Sequence, residues 1–143
     1  MSNWIYNGIE LSEPPKGVYG FLYAIYAGGK IYFGKKTFTY SRTKRLSERA
    51  RKEANTRKRK VKTVTDSQWR DYYGSCKPLL EWIEQNGKED VNRIILGFAK
   101  TKQDLTYWEM VLLVREEVLF RDDVWNGNVL AKFYKGKINQ LIN

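Results

Sequence analysis

Four side chains stand out as able to do chemistry: the phenols of Tyr23 and Tyr32, the ammonium of Lys36 and the carboxylate of Glu109. The chain has no histidine and a single cysteine, Cys76. Ser-His, Cys-His and His-metal chemistry are therefore excluded, and so are thiolate metal clusters and an intrachain disulfide. Proton transfer must run on Tyr, Lys, Arg, Glu or Asp. A bound metal would take oxygen ligands, which selects a hard cation such as Mg²⁺ or Mn²⁺ over zinc. Glu109 lies among Tyr107, Trp108, Met110, Val111, Leu112, Leu113 and Val114, the most apolar run in the sequence. A carboxylate there must be hydrogen-bonded, ion-paired, neutral or metal-bound, because burying it alone is costly. A structural salt bridge and a functional site are equal alternatives for it. Glu116 and Glu117, where polarity returns, read as a solvated face.

These groups need elements that bring them together. The stretch Gly20-Phe-Leu-Tyr-Ala-Ile-Tyr-Ala-Gly-Gly-Lys-Ile-Tyr-Phe-Gly-Lys-Lys36 reads as a β-hairpin with strands at about 18–27 and 30–38. Gly28-Gly29 at its centre can take positive φ at both positions, which fixes the register. Ala27 then faces Lys30, Ile25 faces Tyr32 and Tyr23 faces Gly34. Tyr23, Ile25, Tyr32, Gly34 and Lys36 project to one side, with the two tyrosines roughly 7–8 Å apart as diagonal neighbours. Gly34 leaves open space beside the Tyr23 phenol.

Further along, a leader carrying Pro14-Pro15 precedes the hairpin, and a helix is expected from Arg42 through about Asn55, followed by a polar tract around 56–60. A turn at Thr65-Asp-Ser-Gln-Trp69 leads into Asp71-Tyr-Tyr-Gly-Ser75. Ser75 is placed to cap a helix through Leu79–Ile83 that stops at Asn86-Gly87. Val91–Ala99 reads as a strand, and Thr101 with Asp104 opens the longest helix, about 102–119. Hairpin, helix, helix, strand, helix is a compact α/β order around a small central sheet, in one domain over 1–143 with its core at about 18–130.

Charge is the other strong signal. Between Arg42 and Lys62 stand eleven Lys and Arg against two acids, which places +9 of the chain's +10 in a basic insert at 42–62. A concentrated basic segment on a nearly neutral body is the footprint of a polyanion binder. The segment has too few large apolar residues to insert into a membrane. No apolar run reaches membrane-spanning length, and Met1-Ser-Asn-Trp-Ile-Tyr6 lacks the shape of a secretion signal, so a cytoplasmic location is expected.

Gly20-Phe-Leu-Tyr23, Tyr32-Phe-Gly-Lys-Lys36, Trp69-Arg-Asp-Tyr-Tyr-Gly-Ser75, Tyr107-Trp-Glu109 and Val118–Gly127 occur in the order found in one family. With them the chain resembles the GIY-YIG nucleases, and specifically the small phage-type, homing-like endonucleases. The resemblance implies a small three-stranded, mostly antiparallel sheet flanked by helices, and a one-metal phosphodiester hydrolase acting on DNA in the cytoplasm, the host's if phage-encoded. It implies Tyr23 as, or assisting, the base that activates water, Tyr32 beside the scissile phosphate, Arg42 as charge clamp, Glu109 as metal ligand and Asn126 as a support of the site. The chain departs from the family pattern in Phe-Leu before Tyr23, in Phe33 for isoleucine, and in having Arg45 or Leu46 where many members carry a histidine or tyrosine.

Phosphodiester hydrolysis needs an activated water, neutralised phosphate oxygens and a stabilised leaving oxygen. Arg42 offers a fork for phosphate, Lys36 a point charge, and Glu109 a ligand for Mg²⁺ or Mn²⁺. Tyr23 needs the field of the metal and Lys36 to lower its pKa. Lys35, Lys44, Arg45, Arg49, Arg51, Lys52, Arg57, Lys58, Arg59, Lys60 and Lys62 are expected to contact nucleic-acid phosphates. Tyr72 and Tyr73 are expected to pack or hydrogen-bond under the site more than to stack on bases. The competing reading is a catalytically inactive nucleic-acid-binding accessory protein on the same scaffold. Monomer and homodimer are equally compatible with the sequence.

Overall fold

The computed structural model describes residues 3–55, 57 and 59–142. The strands are β1 (Trp4–Tyr6), β2 (Ile9–Glu10), β3 (Gly20–Ala27), β4 (Lys30–Thr37), β5 (Thr39–Arg45), β6 (Lys60–Asp66), β7 (Asn92–Ala99), β8 (Asn128–Val129) and β9 (Phe133–Tyr134). The helices are α1 (Glu48–Glu53), α2 (Lys77–Asn86) and α3 (Lys102–Arg115), with single 3₁₀ turns at Trp69–Asp71 and Val118–Phe120.

The β3-β4 hairpin has the register expected from its turn: Ala27 pairs with Lys30, Ile25 with Tyr32 and Tyr23 with Gly34. Gly28 and Gly29 take φ of 61° and 76°, as a two-residue hairpin turn requires. Gly28 is needed twice, since a Cβ there would come within 2.8 Å of the Trp82 ring.

The main sheet has five strands, not three, in the order β2-β1-β7-β3-β4. β1 runs parallel to β7, and the other pairs are antiparallel. The extra strands come from the leader, where Asn7 and Gly8 take φ of 50° and 81° in a tight turn between β1 and β2. Trp4 anchors them: it is fully buried, and its Nε1 donates to the Trp69 carbonyl at 2.8 Å.

Both faces of the sheet are covered. On one side Trp4, Phe21, Tyr23, Ile25, Phe38, Trp69, Leu79 and Ile83 form a core beneath α2 and the segment before it. On the other, Ala24 and Phe33 meet Leu113 of α3 together with Val118, Val124 and Val129. α3 starts as expected, with Thr101 Oγ1 accepting from the Asp104 amide at 3.1 Å, but it ends at Arg115 rather than near 119. Glu117 at φ 49° closes it and a 3₁₀ turn follows. The residue capping α2 is Cys76, which gives no side-chain cap, and not Ser75.

The basic segment is not a continuous helix. β5 and β6 form a separate two-stranded antiparallel ribbon, and only Glu48–Glu53 between them is helical, capped by Ser47. Four of the seven β6 residues are β-branched (Val61, Thr63, Val64, Thr65), and β5 carries Thr39, Tyr40, Ser41 and Thr43. Those side chains outweigh the helix preference of Lys and Arg. Lys58 lies outside the described residues. Among the described residues, no helix is long and apolar enough to cross a membrane.

Candidate active site

The two hairpin tyrosines share a sheet face as their register demands, with ring centroids 6.1 Å apart. The space opposite Tyr23 is filled by the phenol itself: a Cβ on Gly34 would lie 2.5 Å from Tyr23 Oη. Tyr23 is 1% exposed, with Trp4 at 5.2 Å and Tyr72 at 5.9 Å between ring centroids. Burial pushes its phenol well above the usual range, and the neighbouring phenols of Tyr72 and Tyr32 add to this. Lys36 does not offset it. Its Nζ donates to Tyr40 Oη at 2.8 Å and stands 4.2 Å over the Tyr72 ring. Tyr32 is more accessible. Its hydroxyl pairs with Ser75 Oγ at 3.3 Å, which eases ionisation but only partly counters the rise caused by burial.

Glu109 comes to the same edge from α3. Together with Tyr32, Ser75, Lys77, Asn126 and Asn128 it lines a groove of about 450 Å³. Burial raises its carboxyl pKa, and the Lys35 ammonium opposes the rise. Lys35 Nζ is 3.9 Å from Glu109 Oε1 and donates to Thr106 Oγ1 at 3.0 Å. The pair is longer than a hydrogen bond, so the carboxylate keeps lone pairs free toward the groove. The N-terminus of α2 lines the groove too, and its dipole favours an anion there.

Asn126 builds the wall. The segment 123–126 runs along the outer edge of β4, with the Ile31 amide donating to the Asp123 carbonyl and the Trp125 amide to the Ile31 carbonyl. At the next rung the Asn126 side chain replaces a strand: Oδ1 accepts from the Phe33 amide at 3.0 Å and Nδ2 donates to the Phe33 carbonyl at 2.8 Å. This satisfies both outward groups of an edge residue and closes an edge that would otherwise invite pairing.

A second cavity of about 230 Å³ lies on the ribbon side, lined by Tyr19, Lys35, Lys36, Tyr40, Tyr72 and Lys102. Tyr40 stands at the ribbon base, and Arg42 follows on the same ribbon face. Arg42 is exposed and lines neither cavity. The structure thus brings Tyr23, Tyr32, Glu109 and Asn126 together, sets Lys36 beside them, and leaves Arg42 out on the ribbon. Lys44, Arg45, Lys60 and Lys62 are exposed on the ribbon strands and Arg49 and Lys52 on α1, where Arg51 is half-buried, while Arg57 and Arg59 lie in the connection between α1 and β6.

Sequence reasoning missed Ser75 as the partner of Tyr32 and gave no part to Lys77, Lys102 or Tyr19. A signal for the first two was present: Gly74-Ser-Cys-Lys-Pro78 puts Ser75 and Lys77 at the mouth of a helix N-terminus. No signal marked Lys102 or Tyr19.

A Mg²⁺ or Mn²⁺ site built on Glu109 fits this donor set. Mg²⁺ commonly uses one or two carboxylates and completes its shell with water and substrate phosphate. Among the described residues no group of three or more His, Cys, Asp or Glu is positioned to form a closed cage, so a cation here would keep positions open for phosphate.

Searches of the curated proteins and of the solved structures returned no significant match. A family model described as "Putative endonuclease segE, GIY-YIG domain" matches residues 4–138. With nearly the whole chain inside that match, and Tyr32, the helix glutamate and the edge asparagine lining one groove, the chain belongs to the GIY-YIG endonuclease family of segE type.

Proposed function

We propose that the protein is a divalent-metal-dependent DNA endonuclease whose scissile phosphate lies in the groove between Tyr32 and Glu109. The observation that carries the reading is the half-buried Glu109 carboxylate, held loosely by Lys35 and opening onto the same groove as the Tyr32 phenol. A cation on Glu109 would supply Lewis-acid stabilisation of the phosphate and a positive charge opposing the burial effect on the phenols. Tyr32, tethered by Ser75, hydrogen-bonds a non-bridging oxygen. Tyr23, buried behind Tyr32, can take the proton of the attacking water only as the phenolate; because burial disfavours that form, its own proton must first pass to solvent, with the cations around the phosphate offsetting the charge left on the phenol. Arg42, one pleat repeat beyond Tyr40, extends from the ribbon face whose base meets Lys36 and clamps a phosphate oxygen. Lys35, Lys36 and Lys102 around the second cavity hold an adjoining phosphate of the same strand.

The test is supercoiled plasmid with and without Mg²⁺ or Mn²⁺, for the parent and Glu109→Ala. Metal-dependent nicking or linearisation by the parent, lost in Glu109→Ala while DNA binding persists, supports the reading. Equal inertness of both with retained DNA binding replaces it with the non-catalytic accessory reading.

A further inference from the structure

The β5-β6 ribbon has no core. Every residue of both strands is exposed, and two-stranded ribbons are at best marginal alone. Its register sets Arg45 directly opposite Lys60, a like-charge cross-strand pair that destabilises a free ribbon. Pairing also sorts the side chains. Tyr40, Arg42, Lys44, Val61, Thr63 and Thr65 share one face, and Arg45, Lys60 and Lys62 dominate the other.

We propose that this ribbon enters the major groove of duplex DNA, with Lys44 and Thr63 meeting base edges and Arg45, Lys60 and Lys62 resting on the flanking phosphates. The assignment rests on the DNA-nuclease reading and adds the element that gives the enzyme sequence preference. Dimensions select the groove. Two strands about 4.8 Å apart with side chains on both faces fit a major groove about 12 Å wide, and a minor groove of about 6 Å excludes them. Composition selects duplex over single strand. From Ser41 to Thr65 there is no aromatic residue, whereas single-strand binders present aromatic platforms to unstacked bases. Charge selects the partner class, since the ribbon and its tip, from Thr39 to Asp66, hold +8 of the +10, and phosphates on both groove walls relieve the Arg45–Lys60 repulsion. The Thr and Val side chains offer short hydroxyls and methyls, the contacts that base edges and thymine methyls accept.

The experiment measures binding of the full chain carrying Glu109→Ala, without metal, so that the duplex stays intact and the outcome is independent of cleavage. Three duplexes of one sequence are compared: unmodified, carrying a bulky substituent on C5 of each thymine, and preloaded with a distamycin-type minor-groove ligand. Major-groove entry predicts a loss of about tenfold or more with the C5 substituent and no change with the minor-groove ligand. Arg45→Gln/Lys60→Gln/Lys62→Gln should lower the slope of log K against log salt by about 2 to 3. Lys44→Ala/Thr63→Ala should instead narrow the affinity difference between preferred and scrambled sequences. Displacement by the minor-groove ligand together with indifference to the C5 substituent overturns the proposal, as does equal affinity for single strand and duplex. Failure of the parent to cleave plasmid while these groove effects hold would defeat the nuclease reading and leave the ribbon assignment standing.

Discussion

Replacing Gly34 by alanine puts a methyl group where the Tyr23 phenol already lies. The added Cβ would sit 2.5 Å from Tyr23 Oη and 2.7 Å from Cζ, so one partner must move by roughly 1 Å to restore an ordinary contact. Tyr23 has little room to do so. It is 1% exposed and boxed by Trp4, Phe21, Tyr32 and Tyr72, with ring centroids 5.2 to 6.1 Å away. Overpacking of this kind costs about 1–3 kcal/mol, which for a chain of this size lowers Tm by about 3–10 °C. Because the strain falls on the Tyr23-Tyr32 wall, metal-dependent plasmid cleavage should fall by about tenfold or more even where the variant is fully folded. Tyr23→Phe supplies the control. It removes the atom nearest the new methyl, so the Gly34→Ala penalty should shrink by at least about 0.5 kcal/mol when it is introduced together with Tyr23→Phe. Thermal melts of the parent, the two single variants and the double variant close the cycle. Additive effects would show that the phenol and the glycine do not compete for one space, and the close packing of Tyr23 against β4 would be refuted.

Three other substitutions test separate parts of the site. Asn126→Asp keeps the acceptor for the Phe33 amide but turns a second oxygen onto the Phe33 carbonyl, so it should cost more than the roughly 2–4 kcal/mol expected for Asn126→Ala, and urea melts should show the loss easing as pH falls and the new acid gains a proton. Glu109 has a raised pKa from burial, so its favourable protonated form is present below the ordinary Glu range and is lost as pH rises through the folded value. Glu109→Gln should therefore be more stable than the parent at pH 7–8 and lose that advantage toward pH 4, whereas a dominant Lys35 salt bridge would make it less stable at neutral pH. Arg93 donates to the Arg70 and Tyr72 carbonyls at 3.0 and 2.7 Å and stacks on Trp4 and Tyr73. Arg93→Lys should cost about 1–3 kcal/mol in a denaturant titration, and loss of Tyr72 from its place should lower kcat more than it raises KM for an oligonucleotide substrate.

The legible parts of this chain were those fixed by local chemistry. Gly28-Gly29 has one good hairpin geometry, and from it the pairing of Tyr23 with Gly34 followed. Thr101 with Asp104 marked the start of α3 for the same reason. The leader strands were legible in principle, because Asn7-Gly8 is a strong hairpin pair, but β1 is held in place by pairing with β7 and by burying Trp4 against residues as far as 65 positions away. No local pattern reports that contact. The same holds for Asn126, whose side chain acts as a missing strand 93 residues from Phe33. Glu109 was found by the misfit of a carboxylate in an apolar run, while Ser75 was assigned to a helix cap that Tyr32 now claims.

The ribbon failed as a sequence reading because two signals conflict there. Lys and Arg favour a helix when only propensity is counted, but a helix through 42–55 would wind cations around every face with two acids to pair them. In the ribbon the same charges stand along a two-sided blade whose register sets Arg45 directly opposite Lys60. The sheet edge is different: Asn126 satisfies its backbone, Tyr23 fills the space at Gly34, and Lys35 partly balances Glu109. On the proposed reading, one half of the machinery is completed by the protein's own contacts and the other by a polyanion. This separation would let substrate capture depend steeply on salt while the wall beside Tyr32, set by the buried Asn126–Phe33 bonds and the packed Tyr23 ring, does not.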